Sequence, residues 1–140
     1  MTEDQRVLLS EELDRDEGRE KMPYIDTVGK VTIGVGRNLT DRGLSDDEID
    51  CLLQNDIDTA IDDLNRGIPW WDTLTPVRQR VLVNMCFNLG WPKLKGFVRT
   101  LAAIRRGDYA AAAQGMRESL WARQVGARAE RLAQMMERGQ

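Results

Sequence analysis

Three side chains near the amino terminus have types and spacing suited to acid–base work on a polar bond. They are Glu17 in Arg15-Asp16-Glu17-Gly18, Asp26 in Tyr24-Ile25-Asp26-Thr27, and Thr32 in Lys30-Val31-Thr32-Ile33-Gly34. Cleaving a glycosidic bond requires two carboxyl groups on opposite sides of it, in different environments. One must keep its proton near neutral pH, which calls for a partly desolvated position, while the other stays ionised. A glutamate at a helix end, over a hairpin that offers an aspartate and a hydroxyl, meets that requirement. In a chain with 23 Asp and Glu, such a pair by itself selects no reaction.

The rest of the composition narrows the chemistry. The chain has no histidine, which removes Ser-His-Asp and Cys-His nucleophiles and His-based zinc hydrolysis together. Carboxylates or lysines must then carry any proton transfer. Cys51 and Cys86 both lie in apolar helical contexts and are expected to be buried free thiols. No apolar run approaches the roughly 18 residues of a membrane span. The first residues lack a basic stretch followed by an apolar one, so synthesis in the cytoplasm is expected. The net charge of −3 hides a segregation. Residues 1–66 carry 18 Asp/Glu against 8 Lys/Arg, a net −10, and residues 67–140 carry 5 against 12, a net +7. A basic carboxyl-terminal half reads either as a solvated face or as a surface for a polyanion.

The elements that must position Glu17, Asp26 and Thr32 follow from caps and periodicity. Thr2-x-x-Gln5 is a capping box, so a first helix is predicted over about 3–16, with Leu8, Leu9 and Leu13 on one face and Gly18 at its end. Short extended pieces with glycines over 22–38 read as a hairpin, followed by a turn at Asp41-Arg42-Gly43. Ser45-x-x-Glu48 is a second capping box, opening a long helix to about Arg66. Thr75-Pro76 opens the next helix, carrying Val77, Val81, Leu82, Met85 and Leu89. Helical segments follow near 93–106, 109–120 and 126–138, with Trp91 and Trp121 read as core.

Taken together, the strings Arg15-Asp16-Glu17-Gly18, Tyr24-Ile25-Asp26-Thr27-x-Gly29 and Thr32-Ile33-Gly34-Val35-Gly36 resemble the active-site region of the phage-type lysozymes, glycoside hydrolase family 24. The likeness continues through Leu44-Ser45-x-x-Glu48, Asn84-Met85-Cys86-Phe87-Asn88-Leu89-Gly90, Gly96-Phe97, Ser119-Leu120-Trp121 and Arg128-Ala129-x-Arg131. The resemblance implies an α+β, mostly helical fold in one lysozyme domain. A β-hairpin lobe would span 17–44, a connecting helix 45–66, and a helical lobe 67–140 together with 3–16. Glu17 would protonate the glycosidic oxygen; Asp26 would stabilise the developing positive charge and, with Thr32, hold the attacking water. That scheme inverts the anomer, needs no metal or cofactor, and expects the carboxyls about 6.5–9.5 Å apart. By the same resemblance Asn38, Phe87, Asn88 and Thr100 would contact substrate, and Arg128 would lie close to Glu17.

Two departures stand out. The loop at Asp41-Arg42-Gly43 is shorter than in the T-even type, and Gly115 replaces a polar, substrate-contacting side chain. Many members also carry histidine at position 37, paired with an aspartate on the long helix. Here Arg37 and Asp56 occupy those positions, so an Arg37–Asp56 ion pair is expected. The implied partner is the peptidoglycan glycan strand, reached in the periplasm by a monomer that a separate holin releases from the host cytoplasm. A nucleic-acid-binding helical domain leaves the Asp26 and Thr32 pattern unexplained, and the acidic half would repel nucleic acid. A silent wall-binding relative has no use for the intact trio, and a lytic transglycosylase needs no water-holding pair. The charge segregation predicts that lysis weakens as ionic strength rises toward about 0.5 M, where screening is short-ranged. A flat salt profile would reduce the +7 to a solvated face.

Overall fold

The chain starts at a cap. The Thr2 hydroxyl accepts from the Gln5 N–H at 3.3 Å, and α1 runs Glu3–Glu17 until Gly18, whose N–H returns to the Asp14 carbonyl at 2.9 Å. The computed structural model describes residues 1–140, which divide into two compact units, residues 1–51 and 52–140. It is α+β and mostly helical, as the resemblance implies.

In the first unit, β1 (Glu20–Ile25), β2 (Val31–Gly34) and β3 (Arg37–Asn38) form one antiparallel sheet in that spatial order. Tyr24 lies opposite Thr32, and Thr32 opposite Asn38, so Thr32 stands on the central strand. The residues expected as a plain turn after the hairpin form a single helical turn, α2 (Leu39–Arg42). Its cause is Asn38, whose side-chain oxygen accepts from the Asp41 N–H at 3.0 Å. α3 (Asp46–Gly67) then opens on a complete capping box: Glu48 N–H donates to Ser45 Oγ at 3.2 Å, and Ser45 N–H donates to Glu48 Oε1 at 2.9 Å. The division between the units falls within α3, after Cys51. The first unit buries no apolar side chain; its one buried residue is Thr32, 4% exposed. The face of Leu8, Leu9 and Leu13 on α1 stays exposed.

The second unit contains the core. After α3 come a 3-10 turn at Pro69–Thr73, α4 (Pro76–Leu89), α5 (Trp91–Leu94), α6 (Val98–Arg105), α7 (Tyr109–Arg117), α8 (Leu120–Val125) and α9 (Ala127–Arg138). Leu64, Leu82, Met85, Ile104, Met116 and Leu132 are fully buried, and α7 packs against both α6 and α9. Trp121 is buried, and Trp91 packs half-buried against the core over Gly67, where any Cβ would run into its ring. The segment predicted over 109–120 is divided because Ser119 works in two directions. Its hydroxyl donates to the Met116 carbonyl at 2.7 Å and accepts from the Ala122 N–H at 3.1 Å, ending α7 and starting α8. Neither cysteine is in a disulfide, but only Cys86 is buried, and that burial pushes its thiol up to about 11, with the charge of Asp63 adding to the rise. Cys51 is exposed, contrary to expectation, because its stretch of α3 belongs to the unit without an apolar core. No helix is long and apolar enough to cross a membrane.

Arg78 secures the end of α9. Its Nε donates to the Met136 carbonyl at 2.7 Å, its Nη2 donates to the Glu137 carbonyl at 2.9 Å, and the guanidinium lies 3.4 Å from the Tyr109 ring centroid. A lysine offers one point charge where this geometry uses a planar fork. Arg78→Lys should therefore lower stability by about 1–2 kcal/mol, from the usual worth of charged hydrogen bonds and cation–π contact. Denaturant midpoints indistinguishable from wild type would contradict that role.

Candidate active site

The turn between β1 and β2 is built around one side chain. Asp26 Oδ1 accepts from the Val28 N–H at 2.9 Å and from the Lys30 N–H at 2.8 Å. The backbone closes the same turn, with Asp26 N–H donating to the Lys30 carbonyl at 2.9 Å and Gly29 N–H to the Asp26 carbonyl at 3.1 Å. Aspartate is suited to this because its short side chain folds back onto amides two and four residues on. Oδ2 makes no hydrogen bond within the protein. Thr32 reaches the same residue from the other side: its hydroxyl donates to the Lys30 carbonyl at 3.1 Å. The Lys30 backbone thus joins Asp26 to Thr32, and each keeps an acceptor to spare. Sequence reasoning named both residues and missed the link, because backbone bridging leaves no residue signature.

Glu17 is the last residue of α1, and its carboxyl rests against the bare Cα of Gly36, next to β3. A Cβ on Gly36 would stand 2.9 Å from Glu17 Oε2. Glu17 is exposed, so the partly desolvated position expected of a proton donor is not supplied here, α1 having no buried residue.

The expected Arg37–Asp56 pair is corrected. Arg37 grips Glu48 with two hydrogen-bonded contacts, Nη1 to Oε1 at 2.8 Å and Nη2 to Oε2 at 2.7 Å, and Nη1 also donates to the Gly43 carbonyl at 3.2 Å. The reason is distance along the helix: Glu48 is in the first turn of α3, whereas Asp56 is two turns further along. Position 48 had been read only as a helix cap. Its hydrogen bonds to Arg37 and Ser45 hold its carboxyl down at about 2.

Of the remaining sequence-predicted residues, Asn38, Asn88 and Arg128 make side-chain hydrogen bonds within the chain. Asn38 spends its side chain on α2, its Nδ2 donating to Asp41 Oδ2 at 2.9 Å beside the cap bond. In the second unit, Asn88 Oδ1 accepts from Trp121 Nε1 at 2.7 Å, and Arg128 donates twice to Asn84 Oδ1, at 3.0 and 2.7 Å. Asn84 lies in the Asn84-Met85-Cys86-Phe87 stretch, where sequence alone gives it no role. Thr100 is buried on α6 with its hydroxyl against Gly115, where a Cβ would stand 2.5 Å away. The glycine at 115 is thus what admits the threonine. Phe87, 42% exposed, lines an open groove of about 650 Å³ with Leu53, Ile57, Trp71 and Val83. No carboxylate lines that groove, so it cannot furnish an acid–base pair.

Glu48 makes the Arg37 pair testable by pH. Its folded-state pKa lies below its ordinary value of 4.5, so the pair's stabilisation is complete above that pH and is lost as pH falls through about 2. Glu48→Gln should therefore lower the melting temperature most near neutrality, with the gap to wild type closing between about pH 4.5 and 2. A gap of constant size across that range would contradict the assignment.

Comparison with known proteins places the chain in a family. The profile of the phage lysozyme family matches residues 14–139, a span that includes Glu17, Asp26, Thr32 and every helix from α2 onward. The chain is 28% identical over 156 residues to the pre-baseplate central spike protein Gp5 of Enterobacteria phage T4, covering 91% of this chain and 27% of that protein. It is also 25% identical to probable T4-type lysozymes 2 and 1 of Dictyostelium discoideum, with 94% of each chain covered. With a family profile spanning nearly its whole length and the small sheet and helices in their expected order, the chain belongs to the phage lysozyme family and is a glycoside hydrolase of the lysozyme kind.

Proposed function

We propose that the chain hydrolyses the β-1,4 bond between N-acetylmuramic acid and N-acetylglucosamine in peptidoglycan by a single displacement at Glu17, Asp26 and Thr32. The observation that carries the reading is the shared attachment of Asp26 and Thr32 to Lys30. With its own proton given to the Lys30 carbonyl, the Thr32 hydroxyl is left to accept. A water donating to Thr32 Oγ1 and to Asp26 Oδ2 keeps its lone pair for the sugar, and the aspartate takes the proton as the bond to C1 forms. Glu17 gives its proton to the departing glycosidic oxygen. Because Glu17 is exposed, the saccharide itself displaces water from it on binding and creates the drier setting in which a carboxylic acid holds its proton.

Phe87 and Thr100 are assigned to the saccharide, Asn88 and Arg128 to holding the groups around it. The enzyme acts as a monomer on the host wall in the periplasm, after a separate pore-forming protein releases it from the cytoplasm, and so lyses the cell. The two relatives named as lysozymes support the substrate class.

Turbidity loss of chloroform-treated Gram-negative cells tests the scheme. Glu17→Gln should fold normally and lose at least about a hundredfold in activity, the usual scale of general acid catalysis. Asp26→Asn keeps an oxygen for the Val28 and Lys30 amides yet cannot accept a proton from water, so it should fold and be severely impaired. The first product should be the inverted anomer by NMR. Lysis by Glu17→Gln at the wild-type rate would falsify the scheme, and anhydro ends by mass spectrometry would assign a transglycosylase instead.

A further inference from the structure

Gly34 and Gly36 both have φ +68°, a positive value that costs a residue with a side chain. Their surroundings differ. A Cβ built on Gly34 meets nothing within 4 Å, whereas one on Gly36 lies 2.9 Å from Glu17 Oε2, 3.2 Å from Cδ and 3.4 Å from Cγ. Real Cβ atoms do not approach that closely, so the carboxyl would have to move. It is the far end of a flexible side chain, at the exposed end of α1, so moving it costs the fold little. A proton donor displaced by an ångström or so is a different matter, because misplacement on that scale costs catalysis on the order of a hundredfold.

We infer that Gly36 is a positioning residue for the Glu17 carboxyl, its missing side chain leaving the space in which the proton donor rests. The inference builds on the reading of Glu17 as general acid. Gly36 touches no reacting atom and acts only through where it lets Oε2 lie. The next residue, Arg37, is held by Glu48 and the Gly43 carbonyl, which fixes the chain on the far side of Gly36. The contact is therefore made against a segment held in place on the Arg37 side.

The matched glycine supplies the control. Gly36→Ala and Gly34→Ala should each lower the melting temperature, since both put a side chain at the same positive φ. Only Gly36→Ala should lower kcat on a soluble peptidoglycan oligosaccharide, by about ten- to a hundredfold, with KM unchanged. Gly36→Asn, which tolerates positive φ better, should show the same loss in kcat with a smaller loss of stability. In a Glu17→Asp background, whose shorter acid withdraws from the contact, adding Gly36→Ala should cost little more. Equal kcat for the two alanine variants would overturn the inference, as would a full additional loss in the Glu17→Asp background. A fully active Glu17→Gln would instead overturn the reading of Glu17 on which it rests.

Discussion

The geometry around the proposed water site depends on the two hydrogen bonds that Asp26 accepts from Val28 and Lys30. The first unit has no buried apolar side chain, so packing cannot hold the hairpin in shape. Polar side chains folded back onto nearby backbone do so instead: Asp26 on its turn, Asn38 on α2, Ser45 and Glu48 on α3, and Thr40 Oγ1 accepting from the Val31 N–H at 2.8 Å. Each bond contributes about 1 kcal/mol and spans few residues. The result is a set of short, locally closed rings whose positions are set by chain geometry, which is a good way to aim a carboxylate and a poor way to resist unfolding.

The second unit is built on the opposite principle. Leu82, Met85, Ile104, Met116 and Leu132 close a dry core across helices distant in sequence, and its polar bonds tie distant segments together. Arg78 reaches the carbonyls of Met136 and Glu137, Arg128 reaches Asn84, and Trp121 reaches Asn88. Cohesion comes from one unit and the proposed acid–base pair from the other. A protein divided in this way can alter its reactive hairpin residue by residue without disturbing the core.

Most of the fold was legible because its signals are local. The boxes at Thr2 and Ser45, the proline after Thr75 and the β-branched run around Thr32 each act within four residues. What escaped depends on contacts that spacing does not encode. The amide of Asn38, which the resemblance implies as a substrate contact, also caps α2. Glu48 looked like a cap alone, yet it also receives Arg37 from eleven residues away. The break at Ser119 lies in a stretch whose periodicity continues through it, and only the hydroxyl's two bonds reveal it. For the site itself, the resemblance points to Glu17, Asp26 and Thr32, while the shared attachment to Lys30 and the seat on Gly36 are properties of backbone, which a string of side-chain letters does not record.

The contrast between the two thiols has a practical side. Burial raises Cys86 to about 11, so at neutral pH its reactive thiolate is about one part in ten thousand. Cys51 is exposed, at the residue where the first unit ends. The native chain therefore carries one readily addressable attachment point, on α3 beside the boundary between its polar and apolar halves. A fluorophore or spin label placed there would mark that position without any engineered substitution.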